Sequence, residues 1–284
     1  ALQLAEVNTF PVSRRAVERL IPMVGKVDFD ETRLATITAW VPGRLDRLFV
    51  DYTGVPVRQG DHLVQLYSPE ILNAQQELLQ AMRTVKELER SPSEFARETA
   101  TSTVAAVREK LRLWGLTPSQ IRELEAAGKA SDHITIYAPI GGIVVEKMAV
   151  EGMYVETGMR IYTIADLSQL WLRLEAYESD LAWLRFGQEL KFSTLAYPGE
   201  QFTGKISFID PVLNEMTRTV KVRVNVANAD GRLKPGMFVR AELQSRLGTG
   251  GRVMMPSLAG KWLCPMHPEV IEAEAGACRL CGMP

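Results

Sequence analysis

Residues 54–63 read Gly-Val-Pro-Val-Arg-Gln-Gly-Asp-His-Leu, and residues 152–161 read Gly-Met-Tyr-Val-Glu-Thr-Gly-Met-Arg-Ile. In both stretches a valine follows the first glycine by three positions, a second glycine by six and an aliphatic residue by nine. The preceding residues also correspond, because Trp40–Leu45 is echoed by Tyr137–Val144, with one extra residue in the first copy before its glycine. An internal repeat of this kind restricts the fold more than any single motif does.

Each copy alternates apolar and polar residues and turns at glycine, a pattern typical of short strands joined by tight turns. Neither copy can bury its apolar face alone, so the two must pack together although about seventy residues separate them. Two facing half-motifs of this type form a flattened sandwich of the lipoyl or biotinyl kind. We therefore predict one split domain from residues 36–67 and 132–166, with Val57 and Val155 in its core.

The segment between the copies, residues 68–131, has the pattern of helices. Ser68-Pro69, Ser91-Pro92-Ser-Glu94 and Thr117-Pro118-Ser-Gln120 are typical helix starts, and Gly128 is a typical stop. We predict a hairpin of helices 69–90 and 92–114, followed by a short third helix. Apolar residues repeat at steps of three and four, as in two helices packed on each other; they are Ile71, Ala74, Leu78, Ala81, Val85 and Leu88, then Ala100, Val104, Val107, Leu111 and Trp114.

Strand patterns dominate residues 167–247, with strict alternation over Val220–Val226. Several strands with glycine-rich turns predict a small closed β-barrel, with one short helix near 178–186. Residues 1–35 also alternate, and we predict that they supply part of a further strand domain. Residues 248–259 include Gly248-Thr-Gly-Gly251 and are predicted to form a linker, and residues 260–284 form a separate small module.

Length and composition exclude several classes of protein. The chain has 284 residues, room for two or three domains, and a net charge of −1, which gives no reason to expect nucleic acid as a partner. No run of 18 apolar residues is present. The chain begins with Ala1 rather than Met, and we expect a fragment or a processed chain. No catalytic triad, phosphate-binding loop or carboxylate pair in a cleft is recognisable, so we predict that the protein is not an enzyme.

The last segment carries the residues with the most distinctive chemistry, Cys264-Pro-Met266-His267 and Cys278-Arg-Leu-Cys281-Gly-Met283. Two pairs of ligands with a spacing of three, separated by a short loop, bring four donors to one point. Cys264, His267, Cys278 and Cys281 would give a tetrahedral set that suits Zn²⁺. Met266 and Met283 add soft thioethers, which favour Cu(I) or Ag(I). The alternative is a disulfide between Cys278 and Cys281 in an oxidising compartment, with Cys264 left unused.

Other histidines and methionines are weaker candidates. His62 and His133 have no partner at ligand spacing and are more simply surface or hydrogen-bonded side chains. Met148, Met153 and Met159 recur in the second half-motif. They suit either a relay for Cu(I), since thioether sulfur is soft, or ordinary core packing.

Nearly the whole chain resembles the periplasmic adaptors, or membrane fusion proteins, of RND-type efflux pumps, in particular the copper, silver and heavy-metal branch. Besides the split repeat, the resemblance rests on Tyr67-Ser-Pro-Glu70, Ala74-Gln-Gln-Glu77, Thr217-Arg-Thr-Val220 and Lys234-Pro-Gly236-Met-Phe-Val239. The last segment resembles the short heavy-metal-binding module attached to metal-efflux adaptors and copper-pumping ATPases.

The resemblance implies a fold that is mainly β with an inserted α-helical hairpin. It is a lipoyl-like barrel-sandwich hybrid plus a small β-barrel, in an elongated multidomain adaptor. The family adds a membrane-proximal domain built from both chain ends, of which residues 1–35 and 248–259 would be parts. The implied location is the periplasm, at the inner membrane.

The implied function is to link an inner-membrane RND pump to an outer-membrane channel, as a homo-oligomer of three or six copies, for export of Cu(I), Ag(I) or another heavy metal. We expect the hairpin tip near Arg90–Glu94 to contact the channel. A metallochaperone or metal sensor, and an adaptor for a non-metal substrate, are the alternatives. A lipoyl or biotinyl carrier domain is disfavoured because helices replace the hairpin that would present a modifiable lysine.

Overall fold

A computed structural model describes residues 17–89, 92–248, 252–254, 260–264 and 270–283. These residues divide into two compact units. Residues 31–166 belong to the first, and residues 17–30 with the described residues from 167 onward belong to the second. The strands of the described residues are β1 (Val17–Phe29), β2 (Leu34–Thr38), β3 (Gly43–Leu48), β4 (Pro56–Val57), β5 (His62–Tyr67), β6 (His133–Tyr137), β7 (Gly142–Lys147), β8 (Tyr154–Val155), β9 (Arg160–Ala165), β10 (Gln169–Tyr177), β11 (Glu189–Thr194), β12 (Phe202–Asn214), β13 (Thr219–Ala227), β14 (Phe238–Leu247), β15 (Trp262–Leu263) and β16 (Ile271–Glu272). The α-helices are α1 (Pro69–Leu88), α2 (Glu94–Leu113) and α3 (Pro118–Ala127).

The first unit contains two four-stranded sheets, and each sheet draws strands from both copies of the repeat. One sheet has the order β2-β9-β7-β4 and the other has the order β6-β5-β3-β8. The short strand of each copy pairs with the other copy, β4 with β7 and β8 with β3. The predicted fold class, mainly β with an inserted helical hairpin and a small barrel, is confirmed.

The two copies exchange equivalent backbone hydrogen bonds. The amide of Gly54 donates to the carbonyl of Val144 at 2.7 Å, and the amide of Gly152 donates to that of Leu45 at the same distance. Both glycines have positive φ, +89° and +81°, a conformation that costs other residues free energy. The repeated glycines therefore mark the turns at which each copy crosses to the other. The exchange recurs six residues later, from Gly60 to Ala138 and from Gly158 to Ala39.

The three helices of the insert lie where the sequence predicts them, but the starts of α1 and α2 differ from the prediction. Ser68 occupies the N-cap position of α1, but its hydroxyl donates to the carbonyl of Pro42 at 2.8 Å instead of capping the helix. Helix α2 begins at Glu94 with Ser93 as its cap, two residues later than predicted. The capping box at the start of α3 and the left-handed stop at Gly128 are confirmed.

Full burial along the hairpin is concentrated in the half that adjoins the sandwich. The buried residues of α1 lie in its first half, from Ile71 to Leu78, and those of α2 lie mostly in its second half, with Ala100 as the exception. Lys110 pairs with Glu77 at 2.8 Å, as expected for antiparallel helices. A helix of this length is roughly 30 Å long, so the half of the hairpin towards its turn is held by few buried contacts.

The second unit contains a closed barrel with the strand order β1-β10-β13-β12-β11-β14. Ile21 and Val27 of β1 are buried in its core with residues of the other five strands. Strand β1 pairs with β14 along its first part and with β10 along its last part. Gly25 lies where the two pairings overlap, and a Cβ there would be 2.0 Å from the carbonyl oxygen of Arg173. Glycine therefore lets β1 bend from one neighbour to the other.

The prediction that residues 1–35 belong to a membrane-proximal domain is wrong for residues 17–29, because these form β1 of the barrel. The physical reason is the edge of the sheet: five strands leave two open edges, and a sixth strand closes both. Residues 34–35 begin β2 of the sandwich, and residues 1–16 lie outside the described part.

The short helix expected near 178–186 is a 3₁₀ helix, Glu178–Trp183. The predicted linker 248–259 begins by turning back, since Val253 bridges to Leu247 at the end of β14. Most of that segment lies outside the described residues. None of the described helices combines the length and the apolar character that crossing a membrane requires.

The sandwich core provides a test of the exchanged strands. Val155 in β8 is fully buried, whereas Val150 in the preceding loop is 60% exposed. Val155→Asp removes apolar burial and places a carboxylate in the core, so we expect the free energy of unfolding to fall by more than about 3 kcal/mol. Thermal unfolding followed by circular dichroism measures this, and Val150→Asp is the matched control. Equal melting temperatures for the two variants would contradict the exchanged core.

Candidate metal centre

The C-terminal module is organised by a small hairpin of strands β15 and β16. Trp262 pairs with Glu272, and Leu263 pairs with Ile271. Cys264 follows β15 directly, and its amide donates to the carbonyl of Val270 at 3.4 Å. The hairpin therefore fixes the backbone of the first predicted ligand at its base.

The second pair of cysteines lies in a tight turn that bends back on itself. The amide of Cys278 donates to the carbonyl of Met283 at 2.6 Å, and the amide of Gly282 donates to the carbonyl of Cys278 at 2.7 Å. The amide of Leu280 points at the sulfur of Cys278, at 3.4 Å. Gly282 has a φ of +72°, which suits the residue that closes such a turn.

These two elements bring three thiols together. The sulfurs of Cys264, Cys278 and Cys281 lie within 4.8 Å of one another. Cys264 and Cys278 are buried with Val270 in a small apolar cluster, while Cys281 is exposed. A pocket of three sulfurs with one open side has the donor chemistry of a site for a soft or borderline metal ion.

The disulfide considered as the alternative is not formed in this arrangement, because none of the three cysteines takes part in a disulfide bond. Cys264, which that alternative would leave unused, lies within the cluster instead, with its sulfur 3.6 Å from that of Cys281.

The thiols differ in their tendency to ionise. Burial disfavours the thiolate of Cys278, but hydrogen bonds from the amides of Cys281 and Leu280 and from the neighbouring thiols outweigh it, and its pKa falls to about 6. For Cys281 the amide of Met283 favours the thiolate, yet partial desolvation of its sulfur within the cluster and the other two sulfurs raise its pKa overall. One thiolate is thus available near neutral pH, while Cys281 must lose its proton to a metal.

Of the six predicted ligands, the structure describes Cys264, Cys278, Cys281 and Met283. Met283 lies beside the cluster through its backbone, and its side chain is partly exposed. Met266 and His267 lie outside the described residues, so their part in the site stays a prediction.

The other histidine and methionine candidates from the sequence are either packed in the sandwich or exposed on its surface. The ring of His62 contacts Phe49 edge-on, with centroids 4.2 Å apart. Met153 and Met159 pack against the sandwich core, and Met148 is exposed. Core packing is therefore sufficient to account for Met153 and Met159.

His133 has two partners, the carboxylates of Asp132 and Asp46, each 2.8 Å from one ring nitrogen. Sequence analysis did not identify this cluster. The neighbouring Asp132 was visible in the sequence, whereas Asp46 is brought close only by the register of β3, β5 and β6.

Three family matches cover most of the chain. Residues 34–165 match the family described as CusB, barrel-sandwich hybrid domain, and residues 169–247 match the CusB-like β-barrel domain. Residues 261–283 match the heavy metal binding domain. The third match coincides with the segment that carries the three thiols.

Among curated proteins, the chain is 28% identical over 254 residues to the cation efflux system protein CusB of Escherichia coli K12. It is 26% identical over 240 residues to the putative membrane fusion protein SilB of Salmonella typhimurium. These alignments cover 89% and 84% of this chain. The chain spans 58% and 53% of the length of the two relatives.

Among solved structures, ZneB from Cupriavidus metallidurans is 26% identical with a TM-score of 0.53, and the match covers 80% of this chain and 99% of ZneB. A MacA–MexA chimera with the Pseudomonas aeruginosa MexA α-hairpin domain shares the fold, at 20% identity and a TM-score of 0.57, over 80% of this chain and 82% of the chimera. The chain therefore belongs to the CusB-like family, with a barrel-sandwich hybrid domain and a β-barrel domain of that family, and its residues 261–283 match the heavy metal binding domain.

Proposed function

We propose that this protein is the periplasmic adaptor subunit of a tripartite efflux pump, linking an inner-membrane RND transporter to an outer-membrane channel. The observation that carries the proposal is a split sandwich with a helical hairpin inserted between its halves, combined with a three-thiol module. In this role the protein has no catalytic site. It assembles as a homo-oligomer, a trimer or a hexamer, around the path of the substrate.

The hairpin supports the proposed contact with the channel. Its half towards the turn holds few buried residues, and Phe95 in the first turn of α2 is 79% exposed. An aromatic side chain held in solvent on a two-helix surface suits packing against helices of another protein. Arg90, expected at this contact, lies outside the described residues, and Glu94 is the first residue of α2.

The proposed cargo is Cu(I) or Ag(I), bound by Cys264, Cys278 and Cys281 with help from Met266, His267 and Met283. Thiolates and thioethers are soft ligands, which favour monovalent copper and silver over harder ions. Zn²⁺ is the competing ion, since three thiolates and one imidazole also form a common zinc site. One relative, of Cupriavidus metallidurans, is named a cobalt-zinc-cadmium resistance protein, at 24% identity.

A second candidate function is a metallochaperone or metal sensor, and one observation favours it. The three thiols occupy a small module with its own two-stranded sheet and its own cluster of buried residues. Such a module could deliver metal without an assembled pump. Transfer of bound metal to the pump supports the adaptor, and transfer to a cytosolic regulator supports the sensor.

The ionisation of the thiols predicts how metal binding depends on pH. Metal competes with protons for sulfur, so affinity should fall as pH is lowered from 8 to 5. The fall should steepen below about pH 6, where Cys278 becomes protonated. The chain has three cysteines, all in this module, so a titration of the whole chain under reducing conditions reports on this site. Cys278→Ser should remove the change in slope, and an affinity independent of pH would contradict the thiolate site.

The methionines decide between a soft ion and zinc. If Cu(I) or Ag(I) is the cargo, Met266→Ala with Met283→Ala should weaken Cu(I) binding more than Zn²⁺ binding in a competition titration. Met254→Ala, at a methionine outside the predicted site, is the control. Unchanged Cu(I) affinity together with a preference for Zn²⁺ would indicate a structural zinc site, while the adaptor proposal would stand on the sandwich and hairpin.

The exposed tip predicts a defect in assembly. Phe95→Ser should lower metal resistance in cells and cross-linking to the channel, with helix content unchanged, because an exposed side chain contributes little to stability. Leu113→Ser, at the other end of α2 and also exposed at 59%, is the matched control. Normal resistance and cross-linking in the Phe95 variant would argue against docking at the tip.

A further inference from the structure

His133 lies at the point where the chain returns from the helical insert to the sandwich. It is the first residue of β6, and it follows the connector that leaves α3. One ring nitrogen lies 2.8 Å from a carboxylate oxygen of Asp132 in that connector. The other lies 2.8 Å from a carboxylate oxygen of Asp46 on β3. The imidazole thus bridges the end of the insert and a strand of the sandwich.

The bridge needs a proton on both nitrogens. Neutral imidazole has one N–H donor, so its second nitrogen would direct a lone pair at a carboxylate. Hydrogen bonds to Asp132 and then to Asp46 raise the pKa of His133. The pKa of Asp46 falls to about 2, mainly through its hydrogen bond to Arg44 and next through that to His133. The bridge is therefore a pair of charge-assisted hydrogen bonds from an imidazolium.

The backbone around this bridge holds both ends of the insert. The amide of Ser68, where α1 begins, donates to the carbonyl of Asp132 at 3.1 Å. The amide of Ser131 donates to the buried side chain of Gln75 in α1 at 2.7 Å. Tyr67 pairs with His133 in the sheet. Whatever orders the connector at residues 129–132 also orders the base of the hairpin.

We propose that Asp46, His133 and Asp132 form a proton-controlled latch, which fastens the base of the helical insert to the sandwich while His133 is protonated and loosens when it is neutral. The latch is independent of metal binding and of the proposed export. In an adaptor it would make the attachment of the hairpin sensitive to the pH of the compartment.

The pKa shifts of His133, Asp46 and Asp132 determine how the stability of the latch depends on pH. Because the pKa of His133 is raised on folding, its stabilisation is complete below the ordinary histidine value of about 6.5 and is lost as pH rises through the raised value. The pKa values of both carboxylates are lowered, so their contribution is lost only at acidic pH.

Arg44 and Tyr67 also lie beside the latch. Arg44 pairs with Asp46 from the same strand and stays charged. Tyr67 contacts the ring with centroids 5.6 Å apart. Asp46 therefore remains ionised and held by Arg44 when the latch opens, which leaves His133 as the switching group.

Hydrogen exchange of the full chain at pH 6 and pH 8, corrected for intrinsic rates, tests the latch. Protection of the amides of residues 129–134 and of the first turn of α1 should fall roughly two- to fivefold at pH 8, the range for a partly exposed ion pair. The His133→Gln variant should show the low protection at both pH 6 and pH 8. His62→Gln, at a histidine in the adjacent strand β5, should behave as the wild type.

Protection that does not change with pH in the wild type, or a change that persists in His133→Gln, would overturn the proposal. A second measurement needs no variant of His133. In an NMR titration of the wild type, the His133 ring should titrate above the ordinary histidine value, and titration at or below that value would overturn the latch. Asp132→Asn, which removes one carboxylate, should lower the midpoint.

Discussion

The exchange of short strands between two copies of one motif is the interaction on which the first unit depends. Each copy lends its two-residue strand, Pro56–Val57 or Tyr154–Val155, to a sheet that contains the other copy. Neither sheet is complete without both copies, so the sixty or so residues between them must leave and return at one place. A helical hairpin satisfies that constraint, and the contacts at Ser68 and Asp132 show how closely its two ends meet.

Periodicity and spacing in the sequence predicted the repeat and most helix boundaries. They missed features that are set by contacts between distant parts of the chain. The glycine repeat located the sandwich, and the start and stop signals at Thr117 and Gly128 were read correctly. The role of β1 was missed because the strand is paired by β10 and β14, which lie far along the chain. Likewise, Ser68 has the sequence of a cap, but tertiary contact turns its hydroxyl to Pro42.

In the thiol module, too, the sequence predicted one property of the site and not another. The spacing of the cysteines predicted that they converge, and the three described sulfurs do converge. Spacing gives no information on which thiol ionises first, because this depends on where amide groups point. The amides of Leu280 and Cys281 favour the thiolate of Cys278, whereas the raised pKa of Cys281 reflects partial desolvation of its sulfur and the sulfurs beside it. The surroundings therefore favour the thiolate at Cys278 and the protonated thiol at Cys281.

Because Val17 pairs with Leu247, the barrel encloses in sequence the whole of the sandwich, which in turn encloses the hairpin. Each part is thus inserted between two segments of the next. The pairing of β1 with β14 is therefore the last to form during synthesis on the ribosome. The hairpin joins neighbouring segments and can form first, whereas closure of the barrel must wait for β14 because it pairs Val17 with Leu247. Until β14 emerges, the first part of β1, residues 17–23, lacks its partner strand, and an unpaired strand edge of this kind is prone to aggregation.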